Sequence, residues 1–330
     1  MEKIAFIIGE TFIYWSSIIL TLAVITAVFL FWSLYLNKSG NAVAAALFVP
    51  PAIVGSMYCA RFIHWYCFTD SYNSLEAAMA DMSRGGFALM GVFAACIAVA
   101  CLLRLVRIVK DLPQMLDCMA LAGGVGIAVG RLSCLFNTAD RGMNIETLRG
   151  LPLVSEVTNA VSGVTEYRLA TFMLQSMITA LIVLILWRYS HKANRKGLRS
   201  GDIALLFSSA YGAAQIVLDS TRYDSMFMRS NGFISIVQIL GLVGLLIPII
   251  LFSIRMVKAG GFLKRFLLLW IPMVACMGLA AFMEYWVQRH GDQALFSYSV
   301  MSACLLVTVV LTASIRYVAV RRESQMAQNT

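Results

Sequence analysis

The chain has 330 residues, of which 60% are hydrophobic and only 13% charged, with a formal net charge of +9. Soluble domains carry about 25% charged residues, so this composition, with a mean hydropathy of +0.80, excludes a water-soluble enzyme and makes lipid the solvent of much of the surface. The basic excess calls for no nucleic-acid partner, because it lies in loops beside apolar runs, where it sits well against anionic lipid heads.

A helix needs about 20 residues to cross the hydrocarbon of a bilayer. Nine such spans are predicted, over 12–36, 43–63, 86–108, 114–131, 169–188, 202–221, 232–255, 263–285 and 295–318. The first is too long for the apolar core of a cleavable leader and no small-residue cleavage pattern follows it, so it reads as a true span. The fourth is short and carries Asp117. The fold class is therefore an all-α polytopic membrane protein. Residues 1–258 form a seven-span membrane domain, and residues 259–330 an accessory pair of spans with a tail.

The loops alternate in charge. One set, from Lys38 through Arg104, Arg199 and Arg255 to Arg322, holds sixteen of the 26 Lys and Arg but four of the 17 Asp and Glu. Lys and Arg are retained on the cytoplasmic side, which puts the C-terminus inside and the N-terminus outside, in an inner membrane.

Four segments on the non-cytoplasmic side are more than turns. Residues 61–85 are amphipathic and aromatic, suited to the head-group zone. In the insert 132–168, alternating residues flank the turn-forming stretch 159–163, which predicts a small β-hairpin, the one non-helical element expected. Segments 219–231 and 286–294 complete the set. Polar groups gather at the adjoining span ends: Arg61, Arg131, Arg168, Gln215, Asp219 and Arg222. Such groups tend to face an internal cavity or each other, or to snorkel to the interface. Asp219 and Arg222, three apart, share a helix face and can pair. Arginines at head-group level suit a lipid phosphate, which guanidinium meets with paired hydrogen bonds.

Gly123, Gly124, Gly126 and Gly130 predict close helix packing in the fourth span. Gly85 and Gly86 open the third, where glycine also lets backbone approach a ligand. Most of the eight cysteines lie inside apolar runs and read as small hydrophobes; Cys67 and Cys134 lie near span ends on one side, the one pair placed for a disulfide.

Five ordered elements over residues 13–255 resemble the prolipoprotein diacylglyceryl transferases of bacterial inner membranes. Ile13-Tyr14-Trp15-Ser16-Ser17 is similar to the start of that family's first core helix, and Ala60-Arg61-Phe62-Ile63 to its A/G-R-L pattern. Residues Arg84 to Gly91 resemble its G-G-x-[AS]-[FIL]-[HY]-G-G turn. Gly130-Arg131-Leu132, with Asn137 and Gly142, is similar to G-R-x-G-N-F-x-N-x-E-x-x-G. Tyr211-Gly212 with Gln215, Asp219 and Arg222 resembles Y-G-x-x-R-x-x-x-E-x-x-R.

The resemblance implies transfer of the diacylglyceryl group of phosphatidylglycerol to the lipobox cysteine of a prolipoprotein, without metal or organic cofactor. It implies that Arg131 holds the phosphate, that Asn137, Gly142, Arg222 and Gln215 line the substrate together with Gly85, Gly86 and Arg61, and that Asp219 stands at the position of a glutamate. The chain departs from the pattern at Met90, Gln215 and Ala139, beside which lies Asp140; at Ser133, Cys134 and Leu135; and at Ser16. Since Met90 cannot take a proton, His64 is the candidate substitute base. Two other readings stay open: a paralogue that binds phospholipid or lipoprotein without this transfer, and a transporter. The accessory spans, with Glu284 and Asp292 on the non-cytoplasmic side, carry no chemical reading.

Overall fold

The computed structural model describes residues 4–9, 11–39, 41–82, 85–137, 139–145, 153–158, 163–193, 198–228, 231–260, 263–290 and 293–329. Arg84, the hairpin turn at 159–162, the basic pair Arg195 and Lys196, and Asp292 lie outside the described residues.

Ten helices carry the architecture: α1 (Trp15–Ser39), α2 (Ala42–Cys67), the short α3 (Leu75–Ala80), α4 (Leu89–Leu105), α5 (Leu112–Arg131), α6 (Thr171–Ala193), α7 (Asp202–Ser220), α8 (Ile236–Lys258), α9 (Leu263–His290) and α10 (Ala294–Asn329). Eight are long and apolar enough to cross a membrane, and α4, with 17 residues, is a shorter apolar helix at the position of the predicted third span. Leu20, Ile25 and Phe29 of α1, Leu181, Leu184 and Ile185 of α6, and Leu268 and Ile271 of α9 are exposed. Each would forfeit roughly 1.5–3 kcal/mol by facing water, so these faces belong in hydrocarbon, and the chain is a multi-pass membrane protein.

Helix ends follow local chemistry. Asn41 caps α2, accepting from the Ala44 amide at 3.0 Å; Asp111 caps α5 through the Gln114 amide at 3.2 Å; and Ser235 with Gln238 makes a reciprocal capping box on α8. Close packing uses small residues. A Cβ on Gly212 would strike the Gly241 carbonyl, so α7 and α8 touch backbone to backbone, and one on Gly91 would strike Ala60 of α2. Along α5, Gly124 packs on Val183 and Phe207, and Gly126 on Ala27, as expected, whereas Gly123 meets nothing.

Among the described residues, three two-stranded antiparallel sheets lie between or before helices. The expected hairpin is present as β3 (Val154–Thr158) and β4 (Thr165–Leu169), in register from Val154↔Leu169 to Thr158↔Thr165. The expectation that it would be the only non-helical element is corrected by β1 (Ile4–Ile8) with β2 (Thr11–Tyr14) and by β5 (Phe227–Met228) with β6 (Asn231–Ser235). The β-branched and aromatic run Thr11 to Tyr14 suits an extended strand. Paired with Ile4–Ile8, it delays the first helix to Trp15. Cys67 and Cys134 are not bridged to one another.

The C-terminal helices are tied to the rest at both ends. At one end Asp202 accepts from Arg255 at 3.0 Å and from Arg316 at 2.8 Å, while Arg255 also holds Glu323 at 2.9 Å. At the other, the Tyr298 hydroxyl donates to the Ser220 carbonyl at 3.0 Å. α10 thereby packs against α7 and α8.

Candidate active site

The site is assembled where α5 and α7 end. After Arg131 a 3-10 turn, Leu132–Phe136, carries the chain to Asn137, whose side-chain oxygen accepts from the Ala139 amide at 3.0 Å. Asp140 then takes a left-handed conformation, φ +55°, which short polar side chains tolerate better than most. The chain returns as a short ladder: Gly142 N–H donates to Leu169 O at 2.7 Å, Met143 N–H to Thr221 O at 2.9 Å, and Tyr223 N–H to Arg141 O at 3.0 Å. Residues 141–143 are thus laced between β4 and the segment leaving α7. Gly142 is sterically required, since a Cβ there would lie 2.6 Å from Thr171 Oγ1 and 2.8 Å from Leu169 Cβ.

This lacing brings two helix-end arginines onto one carboxylate. Arg131 donates to Asp140 Oδ2, and Arg222 pairs with Asp140 Oδ1. Arg222 also faces Asp224 at 3.1 Å and Asp219 at 3.5 Å, the pairing expected from their spacing, and Asp224 in turn accepts from the Asp140 amide at 3.0 Å. Burial pushes the Asp140 carboxyl up, but the adjacent Arg131 and Arg222 guanidiniums outweigh it and hold the group below the usual carboxylate range. Burial likewise works against the charge of Arg222, and Asp140, Asp224 and Asp219 more than offset it. A third arginine, Arg141, donates to the carbonyls of Cys134 and Asn137 at 3.0 Å each and lies 4.5 Å over the Phe172 ring.

Two buried polar atoms beside this cluster make no hydrogen bond among the described residues. Asp219 Oδ2 accepts from the Ser235 hydroxyl, while Oδ1 is buried without a hydrogen bond among the described residues. Gln215 accepts through Oε1 from Gln175 at 2.9 Å, and its Nε2 is buried and without a hydrogen-bond partner among the described residues. Native structures rarely leave such groups unmet; Asp219 Oδ1 has the Arg222 guanidinium 3.5 Å away, whereas Gln215 Nε2 has no hydrogen-bond partner among the described residues.

Other sequence-predicted residues form a second group. Arg61 is fully buried, and it donates to the carbonyls of Ala78 at 2.8 Å, Asp81 at 2.6 Å, Gly86 at 3.2 Å and Gly85. Its guanidinium lies 4.8 Å over the Tyr72 ring. Four of the five N–H groups of an arginine are thereby spent on backbone, which folds segment 61–85 back over the end of α2. His64 Nδ1 meets the Tyr72 hydroxyl at 2.9 Å. Gly85 and Gly86 both have positive φ, and a Cβ on Gly86 would lie 2.7 Å from the His64 ring. Among the described residues, no hydrogen bond or ion pair joins this group to Arg131. Arg168 belongs to β4 rather than to a helix start; it pairs with Glu166 at 2.5 Å and lies 3.9 Å over the Tyr223 ring. Asp140 was noted from sequence only as the neighbour of Ala139, and Asp224 and Ser235 were not singled out. The usable signal was that two deep arginines require carboxylates nearby, and Asp140 and Asp224 are the acidic residues closest to them in sequence.

Fold and site together define a multi-pass membrane protein with buried arginines and carboxylates interleaved at one end of its helices. The chain belongs to the prolipoprotein diacylglyceryl transferase family, whose model matches residues 3–254. Among its relatives, a phosphatidylglycerol–prolipoprotein diacylglyceryl transferase of Lactococcus lactis subsp. lactis is 25% identical over 78% of this chain and 96% of the relative. Proteins of the same name from Finegoldia magna and Clostridium kluyveri are 28% identical over 73% of this chain and 92% of the relative, and 24% identical over 76% and 96%.

Proposed function

We propose that this protein transfers the diacylglyceryl group of phosphatidylglycerol to the cysteine thiol of a prolipoprotein lipobox segment. The observation that carries the reading is the convergence of Arg131 and Arg222 on one buried carboxylate, beside an Asp219 oxygen that accepts no hydrogen bond among the described residues. The thiolate attacks the glyceryl carbon bonded to the phosphate oxygen. A C–S bond forms, the C–O bond breaks, and glycerol phosphate leaves with the electron pair. Arg131 and Arg222 stabilise charge as it builds on the departing phosphate, and the buried Gln215 Nε2 supplies a neutral donor where the family pattern has arginine. Asp219 Oδ1 takes the thiol proton. Asn137 and Gly142 shape the loop that presents Arg131, and Arg61 with Gly85 and Gly86 shapes the adjoining turn on the substrate's path.

His64 is the other proton acceptor in this reading; a His64→Gln variant of undiminished activity removes it from the reaction. The site faces the non-cytoplasmic side, with the N-terminus outside and the C-terminus inside, and residues 1–258 are the catalytic unit. A second reading, a paralogue that binds phospholipid or lipoprotein without transfer, is favoured by the Asp140 carboxylate already shared between the two arginines. Purified protein given phosphatidylglycerol and a lipobox peptide discriminates: thioether product that disappears in Arg131→Ala supports the enzyme. Lipid binding by folded wild-type protein that makes no product, with several phospholipids, supports the paralogue.

A further inference from the structure

The helices beyond the family match reach the candidate site. Glu284 of α9 accepts through Oε1 from Gln238 Nε2 at 2.9 Å and from Gln288 Nε2 at 2.7 Å. An ionised carboxylate offers only acceptors, so Gln238 must turn its amide nitrogen toward Glu284 and its oxygen the other way. That oxygen accepts from the Ser235 backbone N–H at 3.0 Å, and the Gln238 backbone N–H donates to Ser235 Oγ at 3.0 Å. Because Ser235 Oγ is already an acceptor there, its single proton is free to go to Asp219 Oδ2, the contact present in the structure. Asp219 faces Arg222 through its other oxygen. Two donors point toward Glu284, from Gln238 Nε2 and from the Ser235 backbone N–H, and two toward Asp219, from the Gln238 backbone N–H and the Ser235 hydroxyl, so the Ser235–Gln238 pair links the two carboxylates.

We propose that Glu284 is a positioning residue for the transfer reaction, fixing the Gln238 amide and, through Ser235, the Asp219 carboxylate that faces Arg222. The proposal rests on the transferase reading given above. It assigns a role to the accessory pair, since Glu284 lies outside the matched segment 3–254. Without Glu284 the Gln238 side-chain nitrogen loses its acceptor, and the Ser235 N–H alone is left to hold the orientation of that side-chain amide. With the amide reversed, a nitrogen would face the Ser235 N–H, donor against donor. The Ser235 hydroxyl would then lose the fixed frame that commits its proton to Asp219.

The test is full-chain protein in phosphatidylglycerol proteoliposomes with a lipobox peptide, measuring kcat, KM and thermal unfolding. Glu284→Leu is expected to lower kcat about tenfold, the factor belonging to one hydrogen bond to a charged group, with KM for the peptide unchanged. Glu284→Gln keeps an acceptor for Gln238 and should recover most of the rate. The Ser235→Ala/Glu284→Leu double variant should be no slower than Ser235→Ala, because both changes act through one chain. Tyr298→Phe removes the hydrogen bond from α10 to the Ser220 carbonyl at the end of α7 and should leave kcat unchanged.

Wild-type rate in Glu284→Leu, no recovery in Glu284→Gln, additive losses, or an equal loss in Tyr298→Phe overturns the role. If Glu284→Leu does not fold, Ser235→Ala and Gln238→Leu carry the test, and wild-type rates in both refute it. Wild-type protein that forms no thioether overturns the transferase reading and this role together, whereas an active wild type with a fully active Glu284→Leu overturns this role alone.

Discussion

Replacing Asp140 with Asn probes the cluster most directly. The side chain keeps its shape but loses the charge that Arg131 and Arg222 share. Arg222 retains Asp219 and Asp224, so it remains compensated. For Arg131, Asp140 is the only ion-pair partner among the described residues, and its side chain is 17% exposed. Removing one partner of a buried ion pair costs about 3–5 kcal/mol. The partial exposure of Arg131, and the hydrogen bond that Asn can still accept, place the expected loss near the lower end, at roughly 3 kcal/mol. Equilibrium unfolding in mixed micelles measures it. Adding phosphatidylglycerol should restore part of the loss, because a phosphate that binds the folded protein supplies the missing anion and shifts the equilibrium by mass action. A variant within about 0.5 kcal/mol of wild type, the range of ordinary surface substitutions, would refute the view that Asp140 holds this site together.

Arg131→Lys should lower transfer about a hundredfold, since a point charge cannot reproduce the planar fork at a developing phosphate charge; steady-state thioether formation checks it. Gly142→Ala should destabilise by about 1–3 kcal/mol, because its Cβ meets Thr171, Leu169 and the Thr221 carbonyl at 2.6, 2.8 and 3.0 Å; the unfolding midpoint reports it. The pH dependence follows from the direction of the Asp140 shift. A carboxyl held below its ordinary range contributes stability that is present above its unfolded value, about 3.9, and is lost as pH falls through the folded one. Acid titration of wild type should therefore show a loss below about pH 4 that is smaller in Asp140→Asn; equal acid limbs would sink that assignment.

The spans were legible because their signal is long and redundant: each needs about 20 apolar residues, and single polar intrusions such as Asp117 do not hide it. Asp117 in fact accepts from the Gly201 and Ala204 amides at 2.8 and 2.7 Å, capping α7 from a neighbouring helix. The hairpin at 154–169 was legible because two alternating runs flank a turn. β1–β2 was not, because its apolar run continues into α1 without a break in composition, and β5–β6 is too short for periodicity to register. Within the site, the helical spacing of Asp219 and Arg222 gave their pairing directly. The assembly of Arg131, Asp140 and Arg222 depends instead on backbone hydrogen bonds among residues 141–143, 169 and 221–223, which no local pattern encodes. Arg61 illustrates the converse. Its motif placement suggested a substrate contact, yet its donors are spent on the carbonyls of Ala78, Asp81, Gly85 and Gly86, a fact set by the fold of segment 61–85.

The charge balance constrains how an anionic substrate can enter. Arg131 and Arg222 face Asp140, Asp219 and Asp224, and Arg141 lies beside them on the Cys134 and Asn137 carbonyls, so the three arginines and three aspartates are formally neutral rather than a standing positive well. A phosphate arriving there must compete with Asp140 for the two guanidiniums. The exchange is feasible because one anion replaces another at the same donors, and the net desolvation cost is the difference between two similar groups. The arrangement keeps both arginines in place and paired while the site is empty. In the proposed reaction it would therefore favour a substrate that brings its own phosphate over one that offers only acyl chains.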